Sequence, residues 1–202
     1  MKDQLQKAIA GKDGFVELRY HRRKSNSFVA QKGRVDVANH SVTEGVGVRA
    51  LIDGAWGFAA TADTSESAID RAIEEARHNA KELSRARGKT DTGLERGQLS
   101  TEDYTGPGYD ELVKMPTADK LAHVVKLERE LAGESTLMHT ARARYNEIIE
   151  EKAIVTSDGA ACSMRVVQPE VSIAAIAEKK GTQATSMKGA GVSGGWQCLY
   201  SH

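Results

Sequence analysis

Asp53-Gly54 stands between Leu51-Ile52 and Trp56-Gly57-Phe58, two apolar segments that a chain can join this tightly only by folding back on itself. A type I′ turn needs positive φ at both central residues, and Asp-Gly tolerates that where most pairs do not. The pair therefore predicts an antiparallel hairpin, which excludes a local βαβ crossover. The same pattern extends upstream. From Phe15, the apolar Val16, Leu18 and Tyr20 alternate with Glu17, Arg19 and His21, the period of a half-buried strand. Further extended runs are predicted at 27–31, 34–39, 47–52 and 56–61, with turns at Lys32-Gly33, Glu44-Gly45 and Asp53-Gly54. The segment from Phe15 to Thr61 reads as an antiparallel meander.

The period then changes. Asp63-Thr-Ser-Glu66 has the form of a capping box, in which a short acceptor side chain and a glutamate three residues on satisfy the free N–H groups of a helix start. Behind it Ile69, Ala72, Ile73, Ala76, Ala80 and Leu83 form one apolar stripe, with Asp70, Arg71, Glu74, Glu75, Lys81 and Glu82 on the opposite, solvated face. Residues 86–116 lose periodicity and collect Gly, Thr, Asp, Ser and Pro, so they read as a long surface connection and the place for an internal boundary. A second helix is predicted from Thr117, burying Leu121, Val124, Val125 and Leu131 and ending at Gly133 as a left-handed stop. Strands return at 137–145, 148–156, 161–167, 171–179 and 182–188, turning at Ser157-Asp-Gly159, Gln168-Pro169 and Lys180-Gly181. The resulting class is α+β: antiparallel β-meanders with two amphipathic helices packed on them. The two halves are mirror-ordered, without a residue-level repeat.

Composition narrows the partners. A chain of 202 residues can bury about 70% of its unfolded surface, and 40% hydrophobic with 28% charged residues is a globular mixture. The 28 Lys+Arg balance 28 Asp+Glu, so no global field favours nucleic acid or an anionic membrane. The start MKDQLQKAIAGKDG lacks the apolar core of a signal peptide, and two cysteines make no disulfide framework, so a cytoplasmic location is expected. No run approaches the roughly 20 apolar residues that span a bilayer, and no membrane partner is expected.

Each candidate for chemistry has a plainer reading. Gly189-Ala-Gly191-Val-Ser-Gly194 matches G-x-G-x-x-G, yet only 195–202 follow it, too few for the helix and acidic residue of a dinucleotide site. Cys198 and His202 are spaced C-x3-H, and with Cys162 they make three soft donors, one short of a closed zinc site. Cys162 lies in a strand pattern where a small buried residue is ordinary. Glu74 and Glu75 sit one turn before His78, on the polar face of the first helix. His21, His40, His123 and His139 have no Cys, Asp or Glu at ligand spacing that would make a familiar site, and no G-x-S-x-G, Walker or H-E-x-x-H motif occurs. His21-Arg-Arg-Lys24 is the densest basic run; without interleaved aromatics it reads as a solvated strand end that discourages strand addition, and nucleic acid is not an expected partner.

The stretch Gly45-Val-Gly47-Val-Arg49-Ala-Leu-Ile-Asp53-Gly54-Ala-Trp56-Gly57-Phe58-Ala59-Ala-Thr61, followed by a capped helix, resembles the N-terminal region of the TldD/PmbA family, proteins also called modulators of DNA gyrase. Glu17-Leu-Arg19-Tyr20 and Lys32-Gly33-Arg34-Val35 upstream, with Thr156-Ser-Asp158-Gly159, the strand from Val171 to Ala177 and Gly194-Gly195 downstream, extend the resemblance over nearly the whole chain. It implies a zinc metallopeptidase that acts on peptides or unfolded protein segments, as a homodimer or as paired unequal subunits. In that family the zinc ligands belong to a H-E-x-x-x-H helix and a distant Cys, C-terminal to the region seen here. The resemblance therefore assigns no catalytic, cofactor or metal residue to this chain, leaves substrate-binding residues unassigned, and places zinc in a C-terminal domain beyond it. The implied role is the part that shapes the substrate cleft and the dimer, inactive alone; the alternative is a stand-alone binding module or partner subunit. An antiparallel sheet suits peptide capture, since its edge accepts an added strand through main-chain hydrogen bonds, and 5% aromatic residues give little material for deep side-chain pockets.

Overall fold

The computed structural model describes residues 1–90, 94–95, 97–191 and 193–199. Its elements, in chain order, are α1 (Lys2–Ile9), β1 (Phe15–Gln31), β2 (Arg34–Ile52), β3 (Ala55–Thr61), α2 (Glu66–Arg87), β4 (Asp103–Thr105), α3 (Tyr109–Lys114), α4 (Thr117–Gly133), β5 (Met138–Thr156), β6 (Ala161–Lys179) and β7 (Thr182–Gly191), followed by a 3-10 turn at Trp196–Leu199. The strands form one antiparallel sheet of order β3-β2-β1-β5-β6-β4, with β7 also paired to β6. The fold is α+β.

Two compact units share this chain. The first comprises Met1–Arg23, Thr43–Tyr104 and Glu150–Arg165; the second comprises Lys24–Val42, Thr105–Ile149 and Val166–His202. In the first unit the predicted α2 stripe is buried from Ile69 to Ala80 against Val16, Leu18, Tyr20, Val46, Val48 and Ala50. Each fully buried Val, Leu or Ile in such a core contributes roughly 1.5–3 kcal/mol. Close approach is enforced at Gly57, where a Cβ would stand 2.0 Å from the Ala76 carbonyl oxygen and 2.4 Å from Ala80 N. Only glycine lets α2 lie directly on β3. The helix starts later than the capping box indicates: Ser65 is the N-cap and its hydroxyl accepts from Ala68 N, while the Asp63 carboxylate accepts from Ser65 N at 2.9 Å.

In the second unit Phe28, Ala30, Ala143 and Tyr145 pack with Val124 of α4 and Leu199, and Tyr109 and Leu112 of α3 pack with Ile149 and Val167. Among the described residues four helices replace the predicted two. The eight-residue α1 buries only Leu5 and Ile9, and α3 lies inside the stretch read as connection; neither is long enough to show a stripe. The predicted α4 face shifts as well. Its buried residues are Lys120, Val124 and Glu128, with Leu121, Val125 and Leu131 half-buried. Nor is Gly133 a left-handed stop, since the helix runs through it to an αR cap at Glu134.

The hairpin turns at Lys32-Gly33, Asp53-Gly54 and Lys180-Gly181 all hold positive φ at both residues, 56° and 71°, 49° and 78°, and 51° and 79°. Three predicted interruptions are absent. β2 continues through Glu44-Gly45, β5 through Asn146-Glu147 and β6 through Gln168-Pro169. Pro169 stands just before the first β6–β7 pair, Glu170↔Gly191, so the ladder asks no N–H of it there. The run His21–Lys24 lies inside β1, between β2 and β5, and not at a strand end or an edge. Its charges are matched across the sheet: His21 Nε2 to Glu150 at 2.9 Å, and Arg22 to Glu44 at 3.2 Å and Glu151 at 3.6 Å. Glu17, predicted to point outward with its neighbours, is buried.

Candidate functional site

Among the described residues, none of the motif residues meets in a catalytic constellation. Gly189 and Gly191 lie within β7, paired with Ser172 and Glu170, so the G-x-G-x-x-G segment is sheet and not a loop opening a helix; Val192 lies outside the described residues. His202 also lies outside them. His78 is exposed on α2, and Glu74 is engaged by Lys12 Nζ at 2.8 Å, which holds its carboxyl below the usual range. Among the described residues no group of three His, Cys, Asp or Glu is placed to hold a metal ion. The donors among the described residues do not fit a zinc site.

One feature with binding capacity is the open edge of β7. The Lys180-Gly181 turn folds Thr182–Gly191 back on β6 in a ten-residue register running from Lys179↔Thr182 to Glu170↔Gly191. In an antiparallel ladder alternate residues bond the partner strand, so the others turn their N–H and C=O groups to the opposite side. Among the described residues no strand occupies that side. Every β7 residue is exposed except Ala190, and Met187 is 78% exposed. The strand contains no proline and no acidic residue, with Lys188 its single charge. Natural sheets usually protect so long an edge with proline, bulges or charge. This one presents about 34 Å of main chain at roughly 3.4 Å per residue.

Within the same unit a buried polar network ties α3 and α4 to β5. Lys120 Nζ donates to both Glu147 oxygens, at 2.9 and 2.8 Å, and to the Leu112 carbonyl at 3.0 Å. Tyr145 OH donates to Glu147 Oε2 at 2.7 Å, and Asn26 Nδ2 donates to Oε1. His40 Nδ1 reaches Asn26 Oδ1 at 2.6 Å, which makes the histidine the donor. With Lys120 4% and Glu147 1% exposed, substrate has no access to them, so they brace the helices. Sequence reading missed both, because a lysine at a helix stripe position and a glutamate in a strand each read as surface until the partner is known.

Residues 16–80 match the domain described as PmbA/TldA metallopeptidase domain 1, and residues 110–201 match the PmbA/TldA metallopeptidase central domain. The chain belongs to the PmbA/TldD family. It corresponds to the N-terminal part of that metallopeptidase family. Similar solved structures include a protein named a modulator of a DNA gyrase from Thermotoga maritima MSB8, at 18% identity and TM-score 0.72 over 96% of this chain and 43% of that one. TldE from Thermococcus kodakarensis aligns at 14% identity and TM-score 0.70 over 95% and 42%. A protein from Bacteroides thetaiotaomicron, also named a modulator of DNA gyrase, aligns at 15% and 0.61 over 94% and 44%. At these identities the likeness is one of fold. This PmbA/TldD chain thus spans less than half the length of those relatives. No curated protein matches it in sequence.

Proposed function

We propose that this chain is the N-terminal, substrate-cleft and dimer-forming part of a cytoplasmic zinc metallopeptidase that acts on peptides or unfolded protein segments. The observation that carries the reading is the open edge of β7: a long, exposed, proline-free strand with hydrogen-bonding groups on its outer side. An extended peptide adds to such an edge through its own main chain, so binding is largely blind to sequence. Most of a folded protein's main chain is already paired internally, which favours extended segments as substrate. On this reading zinc and its ligands belong to residues outside this chain, and the donors among the described residues are not offered as ligands. The family's description as a metallopeptidase supplies the reaction class. A second copy or an unequal subunit completes the cleft.

Hydrogen exchange of the chain, with and without a reduced, unfolded casein fragment, tests this reading. Outward amides of β7 should exchange rapidly alone and slow markedly in the complex. Absence of protection in β7 at saturating peptide overturns it.

A further inference from the structure

A second surface, in the first unit and independent of the β7 edge, carries the chemistry of a carboxylate receptor. Glu17 of β1 is buried, its side chain 6% exposed, and is clasped by two arginines. Arg19 Nε donates to Glu17 Oε1, and Arg49 Nη2 donates to Oε2 at 2.7 Å. The Arg49 guanidinium lies 5.0 Å from the Trp56 ring centroid, a cation–π contact that limits its swing. Trp56 in turn packs against Phe15 and Phe58, at centroid distances of 5.9 and 6.4 Å. Glu17 thereby takes one donor from each guanidinium and leaves the others. Among the described residues Arg49 Nε is a buried donor without a hydrogen-bond partner, a condition that favours a site where something supplies an acceptor. The Arg19 side chain is 59% exposed and the Arg49 side chain 39%. Together with Gly47 and Phe58 they line a hollow of about 300 Å³, and Phe58, 62% exposed, gives it an apolar wall.

The charges select the occupant. His21, two residues along β1 from Arg19, contacts Glu150, which also accepts from Lys152 Nζ at 2.9 Å. Within the hollow Arg19 and Arg49 face Glu17, a surplus of one positive charge interrupted by a fixed negative one. A continuous polyphosphate would meet that carboxylate as repulsion. A strand of isolated carboxylates spaced by neutral or apolar residues would not. We propose that this face binds the acidic side chains of an extended peptide: an Asp or Glu carboxylate on the free Arg19 and Arg49 donors, with a neighbouring apolar side chain on Phe58. Guanidinium matches carboxylate in planar, bidentate geometry, which lysine cannot reproduce.

Fluorescence anisotropy with dye-labelled peptides tests it on the whole chain. An acetylated, amidated peptide alternating Glu and Phe with Gly should bind about tenfold more tightly than its Gln counterpart, and binding should weaken as salt is raised. Arg19→Gln, a change at an exposed side chain, should remove most of that preference. Glu17→Gln should tighten binding several-fold, because it removes the competing negative charge and leaves one acceptor where there were two. If Arg49→Gln perturbs folding by circular dichroism, Arg49→Lys replaces it, and weaker binding with charge retained is expected. Equal binding of the Gln peptide, indifference to Arg19→Gln, binding only of peptides with a free C-terminal carboxylate, or tighter binding of duplex DNA than of the acidic peptide would each overturn the proposal.

Discussion

Lys120 Nζ lies 2.8 Å from Glu147 Oε2, with both side chains withdrawn from solvent and every donor of the ammonium engaged. A buried pair of this kind is costly to assemble and more costly to break, because removing one partner strands the other charge. Lys120→Met or Glu147→Gln alone should each destabilise the protein by about 3–5 kcal/mol in urea unfolding. The double variant should lose clearly less than the sum, since no unpaired charge remains. Additive losses would show that the pair is not coupled as the geometry indicates.

The packing of α2 on β3 turns on a single missing methyl group. Gly57→Ala places a Cβ within 2.0 Å of the Ala76 carbonyl oxygen, on backbone that cannot step aside without moving the helix. A loss of at least about 2 kcal/mol is expected in the same assay. Gly97→Ala, at a position with nothing within 4 Å of the added atom, serves as the control and should stay within about 0.5 kcal/mol of the parent.

His123 sets a pH dependence. Its ring meets Trp196 edge-on at 4.9 Å, and burial, reinforced by Lys126, holds its pKa below the ordinary value. The folded state therefore disfavours the imidazolium, whereas the unfolded chain protonates near pH 6.5. Stability from this group is fully present above about pH 6.5 and declines as pH falls from there toward the lower folded pKa. His123→Phe, which keeps an aromatic contact with Trp196, should flatten the stability profile between about pH 7.5 and 5.5 relative to the parent. Parallel profiles would contradict this assignment.

What the sequence disclosed follows from how local each cause is. Turns that need positive φ announce themselves, and Lys32-Gly33, Asp53-Gly54 and Lys180-Gly181 stand where they were read. A helix as long as α2 shows its stripe in the same way. Glu44-Gly45 looks like another turn, but that glycine answers a tertiary need: a Cβ there would approach the Thr61 carbonyl oxygen to 2.7 Å. The α4 face was misread because its central stripe, Lys120-Val124-Glu128, is charged at two of three positions. Lys120 is satisfied by Glu147, and Glu128 Oε2 accepts from Gly33 N at 2.8 Å, partners distant in sequence. The clasp of Glu17 by Arg19 and Arg49 was hidden for the same reason, since a charged residue in a period-two strand reads as solvent-facing.

The central claim is that this PmbA/TldD chain holds an extended peptide while the zinc chemistry lies outside it. The direct measurement is to incubate the purified chain with reduced, unfolded casein and zinc, following complex formation, cleavage and bound metal together. A complex with unfolded casein, intact casein after incubation, and no stoichiometric, tightly held zinc are expected. Cleavage that copurifies with the chain, or one zinc held per chain through gel filtration, would contradict the claim.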